Sequence, residues 1–577
     1  MNNFTDIISE SSKLLNIKTL NSLNVKIFTN SIINPIDKIL KYQIEKKNIK
    51  TFIEYNDFDS LNFLKNKENI HIAIILWEIE NIFPNGFLDL EFKDNSFVEE
   101  VIEVQINRLN IFFDKINESK LIIFKKFNNF NYFTDSLYEN KVELICNKLN
   151  QFLEKNAQKN KNIILFDDFD IYKELNNNYY SRNLKNAKLP YYSLETLMHI
   201  SFRISLIVLN YLGQSKKVLI VDCDNTLWNG IIGEDDNNKI FSRYDIHREK
   251  FKFASKTLSY LKNKGIILAV CSKNNYQDVE KFFKKKSKYL FDFENFNVKK
   301  INWNSKSQNI LEMSKELNLG TSSFVFLDDS EFEISEVQTA IKDIDCIKVP
   351  NNLDSYKQTL LNICKYFNKK EDDTKEDKLR SKFYTQEDER LKLKNKNSYQ
   401  EYLKSLNLEL YLGKAEFFEL GRVAQLTQKT NQFNLTLERQ TLNEVKKKIK
   451  SKNREIYAFS LRDKFGEYGT VGVADILFLQ NKTAIIENFL MSCRVMGREV
   501  EQTFLAELIK IISKKKIINV EGIYVKGPKN DLVKNFYSQN GFKVLKNVKD
   551  KKVFSKEIST FLQKNKKQNK IKVVYAK

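Results

Sequence analysis

Short unbroken apolar runs recur along the first two thirds of this chain, separated by stretches in which apolar residues return every three or four positions. Val25-Lys26-Ile27-Phe28, Ile72-Ala73-Ile74-Ile75-Leu76-Trp77, Leu121-Ile122-Ile123-Phe124 and Ile163-Ile164-Leu165-Phe166 punctuate the first 210 residues. Runs of this length predict strands buried on both faces, and the amphipathic stretches between them predict helices, so the order predicts a parallel α/β sheet. The pattern resumes at Val218-Leu219-Ile220-Val221, Leu268-Ala269-Val270-Cys271 and Phe324-Val325-Phe326-Leu327. From about residue 400 it changes. Leu406-Asn407-Leu408-Glu409-Leu410-Tyr411-Leu412 alternates like a half-buried strand, and strand-like segments at Lys464 to Val473 and Ala484 to Met491 precede a helical stretch at Val500–Ser513. These shifts divide an α/β multidomain chain into an N-terminal α/β domain (1–210), a central Rossmann-like parallel sheet (211–365), a connector (366–399) and a C-terminal α+β domain (400–577). The connector's mixed charges and periodic Leu, Phe and Tyr predict an exposed helix.

Composition narrows the class. Of 577 residues 42% are hydrophobic, yet no apolar stretch approaches the ~20 residues that span a bilayer, which predicts a globular protein without membrane contact. The first residues, Met1-Asn2-Asn3-Phe4-Thr5-Asp6, have neither the basic start nor the apolar core of a secretory signal, so a cytoplasmic location is expected. Cysteines at 146, 223, 271, 346, 364 and 493 are scattered without a Cys-x-x-Cys pair, which argues against disulfide frameworks and zinc sites. Three histidines, His71, His199 and His247, exclude multi-histidine metal centres. The net charge of +21 comes from lysines spread along the whole chain, with no basic stripe interleaved with aromatics, and so points away from nucleic acid. A basic surface is compatible with an acidic protein partner.

The chemistry concentrates where apolar runs stop. Asp222-Cys223-Asp224-Asn225-Thr226 directly follows Val218–Val221, so two carboxylates emerge together at a strand end, where open α/β sheets collect reactive groups. Asp222 could attack a phosphorus atom, and Asp224, two positions on, could protonate the leaving oxygen and then activate water. Thr226 could hold the turn or the phosphate. Ser272 after the next run could bind a phosphate oxygen, Lys306 could neutralise an aspartyl-phosphate, and Asp328-Asp329 after the following run could complete a Mg²⁺ shell. Only 50 residues separate Asp222 from Ser272 and 34 separate Ser272 from Lys306. Neither interval has room for a cap domain of ~100 residues. An open site suits a phosphorylated group carried on a protein or a long arm.

Nucleophile, hydroxyl, lysine and paired acids in this order resemble the haloacid-dehalogenase superfamily. The strings VLIVDCDNTLWNGIIGED at 218–235, INWNSKSQNI at 301–310 and SFVFLDDSEFE at 323–333 are similar to the FkbH-like subfamily, whose members supply activated three-carbon units to acyl carrier proteins or are labelled phosphatases. The resemblance implies a Mg²⁺-dependent enzyme with Asp222, Asp224, Asp328 and Asp329 around the metal, and 1,3-bisphosphoglycerate as the acyl phosphate. Two departures stand out. Cys223 replaces an aliphatic residue and is expected to pack inward, and Ser330-Glu331 replaces Asn-Pro, where Glu331 is expected to affect the orientation of the metal shell.

In the last domain QLTQKTNQFNLT and SCRVMGRE again resemble FkbH-like proteins, and the order of elements resembles the GNAT acyltransferase fold. Arg494, Gly497 and Arg498, leading into a helix amino terminus, form a phosphate-binding arrangement. The carboxylate of Glu499 beside it favours the phosphopantetheine of an acyl carrier protein over coenzyme A. Cys493, read as standing at that helix end between arginines, could hold an acyl group as a thioester; it could equally be a space-filling thiol. In the first domain Thr29-Asn30-Ser31 faintly resembles the opening of the SGNH-hydrolase fold, but His199 follows Glu195-Thr196-Leu197-Met198 instead of an Asp-x-x-His block, so a scaffold or docking role is expected. The leading expectation is loading of a glyceryl unit onto a carrier protein. Its rivals are a phosphatase of a sugar or metabolite phosphate with an accessory N-acyltransferase domain, and a non-enzymatic adaptor.

Overall fold

The computed structural model describes residues 22–47, 49–57, 70–83, 87–130, 140–160, 162–181, 191–232, 246–285, 291–367, 386, 390, 393, 398–527, 530–564 and 571–576. The chain forms two compact units, residues 1–209 and 210–577. No described helix is long and apolar enough to cross a membrane.

The first unit is built on β1 (Leu23–Thr29), β2 (Thr51–Asp57), β3 (Ile72–Leu76), β4 (Leu121–Lys125) and β5 (Ile163–Phe166), all parallel, in the order β2-β1-β3-β4-β5. Ile72 to Leu76 are completely buried, as an apolar run covered on both faces requires. The crossover helices Asn95–Lys115 and Lys141–Lys159 start where Asp94 and Asn140 accept hydrogen bonds from the backbone N–H of Phe97 and Glu143. The strand order reverses between β1 and β3, where such sheets open a ligand crevice. Here Asn30 links the two strand ends, its Nδ2 donating to the Glu78 carbonyl at 2.8 Å and its Oδ1 accepting from the Glu78 N–H at 2.7 Å. Beneath it the buried Lys125 ammonium lies 3.1 Å from Glu78 and 3.5 Å from Asp168, with Tyr192 and Tyr179 donating to the same two carboxylates. Among the described residues the buried Ser31 hydroxyl has no hydrogen-bond partner, and so no base in contact with it.

The second unit holds two sheets. The central one comprises β6 (Val218–Val221), β7 (Ile267–Ser272), β8 (Val298–Ile301), β9 (Phe324–Asp328) and β10 (Asp345–Lys348), all parallel, in the order β10-β9-β6-β7-β8. Alternation along β6 sends Leu219 and Val221 to a cluster with Trp228 and Phe282, and Val218 and Ile220 to the opposite face. That opposite face belongs to one continuous apolar cluster that includes Ile310 and Met313 and extends to Leu410, Phe459, Phe489 and Phe554 of the second sheet.

The second sheet contains β11 (Glu409–Lys414), β12 (Arg454–Asp463), β13 (Gly466–Phe478), β14 (Thr483–Met491), β15 (Asn519–Val525), β16 (Lys543–Val548), β17 (Lys551–Glu557) and β18 (Lys572–Tyr575) in the order β16-β17-β15-β14-β13-β12-β11-β18. Its neighbours β14 and β15 run parallel, whereas β11 to β14 form an antiparallel meander. With its flanking helices this sheet forms a mixed α+β domain. Leu406 ends a helix (Tyr399–Leu406) instead of opening a strand, because Asn407 turns left-handed (φ +51°) and stops it. Most of the 366–399 connector lies outside the described residues. Within it, Arg390 corrects the expectation of exposure: it is completely buried, its Nε and Nη2 donating to the Asp463 carboxylate at 2.7 and 2.9 Å, and Leu393 packs against the core.

Candidate active site

Three strands of the central sheet deliver acids to one point. Asp222 leaves β6 with its N–H donating to the Leu327 carbonyl of β9 at 2.9 Å, which sets the end of β6 beside Asp328 and Asp329. Each of these three acids offers an oxygen within 4.8 Å of the others, a grouping that can hold a hard divalent cation. Lys306 lies 3.2 Å from Asp222 and 2.5 Å from Asp328. A lysine as the first residue of the helix Lys306–Leu317 opposes the helix dipole, a local cost accepted for its contact with the acids. Burial, and then the Asp222 charge, raise both neighbouring acids, Asp328 to about 7, with Lys306 pulling the other way. Burial would lower the Lys306 pKa, but Asp222 and Asp328 raise it above its ordinary value, so it stays charged.

Asp224 points elsewhere and corrects the metal set. Its Oδ1 accepts from Trp228 Nε1 at 2.9 Å and from the Ile232 N–H at 3.2 Å, and its Oδ2 accepts from Asn274 Nδ2 at 2.6 Å. With both oxygens engaged, the side chain stands outside the three-acid group. Burial pushes Asp224 up to about 6, despite these hydrogen bonds. The turn that places it needs a left-handed residue at Asn225 (φ +53°), which asparagine tolerates, and Asn225 Oδ1 accepts from the Gly230 N–H at 2.9 Å. Thr226 is fully buried. Its N–H donates to Asp224 O at 2.6 Å, its carbonyl accepts from Tyr356, and among the described residues its hydroxyl has no hydrogen-bond partner. Ser272 ends β7, 2% exposed. Cys223 packs in the core beside Leu219 and Trp228, and burial raises its thiol far above the usual range. Glu331 is exposed and paired with Lys348 at 2.9 Å, away from the acids it was expected to influence.

Two residues escaped the sequence. Lys250, buried on the helix Ile246–Asn263, donates to the Asn225 carbonyl at 2.7 Å and to Asn229 Oδ1 at 3.1 Å while lying 4.7 Å from the Tyr356 ring centre. It fixes the loop after Asp224, and no local pattern marks one lysine among many on a helix. Asn274 carried a signal, standing two residues beyond Ser272 in the same strand-end turn.

The last domain arranges its residues differently from the expectation. Cys493 begins a short 3₁₀ turn (Cys493–Val495), while the helix Val500–Ser513 starts seven residues later behind Glu499 (φ +60°), so the thiol is not at a helix amino terminus. It is half-buried against the apolar cluster, and its carbonyl accepts from Asn318 Nδ2 at 3.2 Å. Asn318 caps the far end of the 12-residue helix that begins at Lys306, which separates the Cys493 turn from the acids by about 18 Å at ~1.5 Å per residue. Arg498 is buried, donating to the Arg494 carbonyl at 2.7 Å and lying 5.6 Å from the Tyr468 ring centre, and Arg494 Nε donates to Ser492 Oγ at 3.3 Å. The Gly497 carbonyl accepts from Tyr399.

An extended amide-bearing arm such as phosphopantetheine could add, strand-like, to backbone groups freed where parallel strands part. The strands β14 and β15 pair only from Thr483–Ile486 to Asn519–Gly522 and then separate. Phe433–Leu435 fills the opening: Leu435 N–H donates to Phe489 O at 3.1 Å, Met491 N–H to Phe433 O at 2.9 Å, and Val525 N–H to Leu435 O at 2.8 Å. Asn530 Nδ2 locks the insert by donating to Asn434 O at 2.9 Å. The chain's own backbone takes the place, and the arm does not fit there.

No protein-family profile matches the chain. No curated protein matches it either. Among solved structures, the N-terminal part of a Bacteroides fragilis protein, containing a phosphatase domain and complexed with Mg, is similar at 20% identity over 64% of this chain and 98% of that one, with a TM-score of 0.55. At this identity the likeness shows a shared fold and nothing further. Shorter matches include the PaiA N-acetyltransferase of Thermoplasma acidophilum in complex with coenzyme A (20% identity, 20% of this chain, 68% of that one, TM-score 0.17). The Escherichia coli ribosomal-protein-S18-alanine N-acetyltransferase matches at 12% identity over 26% of this chain and 94% of that one, with a TM-score of 0.21. Scores this low carry no weight.

Proposed function

We propose that this protein is a Mg²⁺-dependent phosphohydrolase of the haloacid-dehalogenase type, FkbH-like in its subfamily, which removes a phosphoryl group by way of an aspartyl-phosphate on Asp222. The observation that carries this is the convergence of Asp222, Asp328, Asp329 and Lys306, with a raised-pKa carboxyl, Asp224, two residues from the nucleophile. Asp222, Asp328 and Asp329 would hold Mg²⁺, which supplies neutralising charge to a bound phosphate. Asp222 attacks phosphorus. Asp224, fixed by Trp228 and Asn274, gives its proton to the leaving oxygen and afterwards accepts one from water. Lys306 and the Ser272 hydroxyl stabilise the negative oxygens, and Thr226 holds the turn.

For the organic part of the substrate, the subfamily resemblance suggests an acyl phosphate such as 1,3-bisphosphoglycerate, with the glyceryl unit passed to an acyl carrier protein. The exposed Trp303 and Phe332 side chains beside the strand ends support a substrate that extends beyond its phosphate. The position of Cys493 at the distant end of the Lys306 helix speaks against direct acyl transfer to that thiol.

Incubation with acetyl phosphate and Mg²⁺ tests the proposal. Phosphate release is expected, together with a hydroxylamine-sensitive phosphoryl group on Asp222, and both are lost in Asp222→Asn. Full turnover by a folded Asp222→Asn protein would overturn it.

A further inference from the structure

Each of the four segments that follow or precede the acid-site strand ends carries one exposed apolar side chain, Ile231 and Trp303 on loops and Tyr276 and Phe332 in the first turn of a helix. Ile231 follows the Asp222–Thr226 turn, Tyr276 follows Ser272–Asn275, Trp303 stands three residues before Lys306, and Phe332 stands three residues after Asp329. They are 38%, 42%, 69% and 72% exposed, respectively. Large apolar groups at the mouth of a polar site are costly to leave in water, and they mark a surface that meets an apolar partner.

The two most exposed are also positioned. Trp303 Nε1 donates to Asn275 Oδ1 at 3.2 Å, next in sequence to the Asn274 that holds Asp224. The Phe332 ring lies 5.9 Å from the Lys273 ammonium, which is paired at 2.6 Å with Glu333 and adjoins Ser272. Both rings are thus tied to the single loop 272–275 that also carries the hydroxyl and amide of the site.

We infer that Ile231, Tyr276, Trp303 and Phe332 determine specificity by gripping the part of the substrate beyond its phosphate, and that this part is an apolar arm several carbons long. The inference rests on the proposed phosphatase site and goes beyond it by naming the substrate class. A small polar phosphate, 1,3-bisphosphoglycerate included, would sit on the acids without reaching the rings, so the rim favours a longer-armed substrate over that one. An apolar arm would cover them and gain from their removal from water.

Primary alkyl phosphates provide the test, because ethyl and octyl phosphate share a leaving group and differ only in what the rim can touch. With Mg²⁺ present, octyl phosphate is expected to exceed ethyl phosphate by about tenfold or more in kcat/KM, mainly through KM. Trp303→Ala and Phe332→Ala each lower the octyl-to-ethyl ratio several-fold. Trp303 gives a second readout, since Trp77 and Trp228 are buried at 3% and 1% exposure. Octyl phosphate should shift its emission to the blue, and ethyl phosphate should not. A ratio near one, or a ratio untouched in both variants, without an emission change, overturns the inference. If neither ester is hydrolysed but octyl phosphate still moves the Trp303 emission, the rim assignment stands and the phosphatase reading falls.

Discussion

Lys306 and Asn318 stand at opposite ends of one helix, the first ion-paired with Asp222 and Asp328 and the second hydrogen-bonded to the carbonyl of Cys493. The helix therefore spaces the thiol away from the acids. Lys306→Met should lower phosphate release by about 10²- to 10³-fold, the usual cost of losing a positioned electrostatic partner. Cys493→Ala should stay within about twofold of wild type, because a substitution half-buried in a distant turn acts on stability alone. Steady-state phosphate assays on both variants, with circular dichroism to verify folding, decide the matter.

The Asp224 carboxyl, raised to about 6, predicts a pH dependence with a definite sign. Acetyl phosphate has a good leaving group and needs little protonation, so hydrolysis of the phosphoenzyme limits turnover and requires ionised Asp224. The rate should rise with pH through about 6 and then level. Asp224→Asn should lose this rise and fall by about 10²-fold or more. A profile that keeps its rise in Asp224→Asn assigns it to another group.

Arg390 and Asp463 form a completely buried, two-pronged ion pair, which Tyr468 completes by donating to Asp463 at 2.6 Å. Burial would raise the Asp463 pKa, but the hydrogen bonds from Arg390 and Tyr468 outweigh it and hold the carboxyl below its ordinary value. Its stabilising contribution is present above the unfolded-state pKa and is lost as pH falls through the lower folded value. Urea unfolding followed by far-ultraviolet circular dichroism should thus show a decline below about pH 4. In Arg390→Met the bare carboxylate should cost about 3–5 kcal/mol at neutral pH. Acidification should then relieve part of that cost.

The Phe433–Leu435 insert predicts that the last domain does not take up coenzyme A by pairing along β14. Calorimetric titration with coenzyme A at millimolar levels should give no binding heat. The amide hydrogens of Leu435, Met491 and Val525 should exchange slowly, before and after its addition. Rapid exchange at these three positions, or saturable binding that speeds it, would show that the insert swings out.

The strand ends could be read from the chain because a doubly buried strand announces itself as an apolar run and its first polar residue must lie at the sheet's edge. That is why Asp222, Ser272 and Asp328 were identifiable from position alone. The direction of Asp224 was hidden, since it depends on Trp228 and Asn274, partners 4 and 50 residues away in sequence. Arg390 looked exposed because its neighbours are charged, and only the distant Asp463 explains its burial. The Cys493 turn was misplaced because the left-handed Gly497 and Glu499 delay the helix, and a non-glycine residue with positive φ has no dependable sequence mark. The insert of Phe433–Leu435 is a long-range pairing that no local periodicity encodes.

The unbroken apolar cluster from Val218 to Phe554 has a practical outcome for anyone dissecting the chain. Severing it near residue 366 would bare greasy surface on both fragments, so each should clump when expressed by itself. The acid-bearing sheet and the eight-stranded sheet beside it are best viewed as inherited, folded and degraded as a single object, whereas the leading 209 residues enclose an interior of their own.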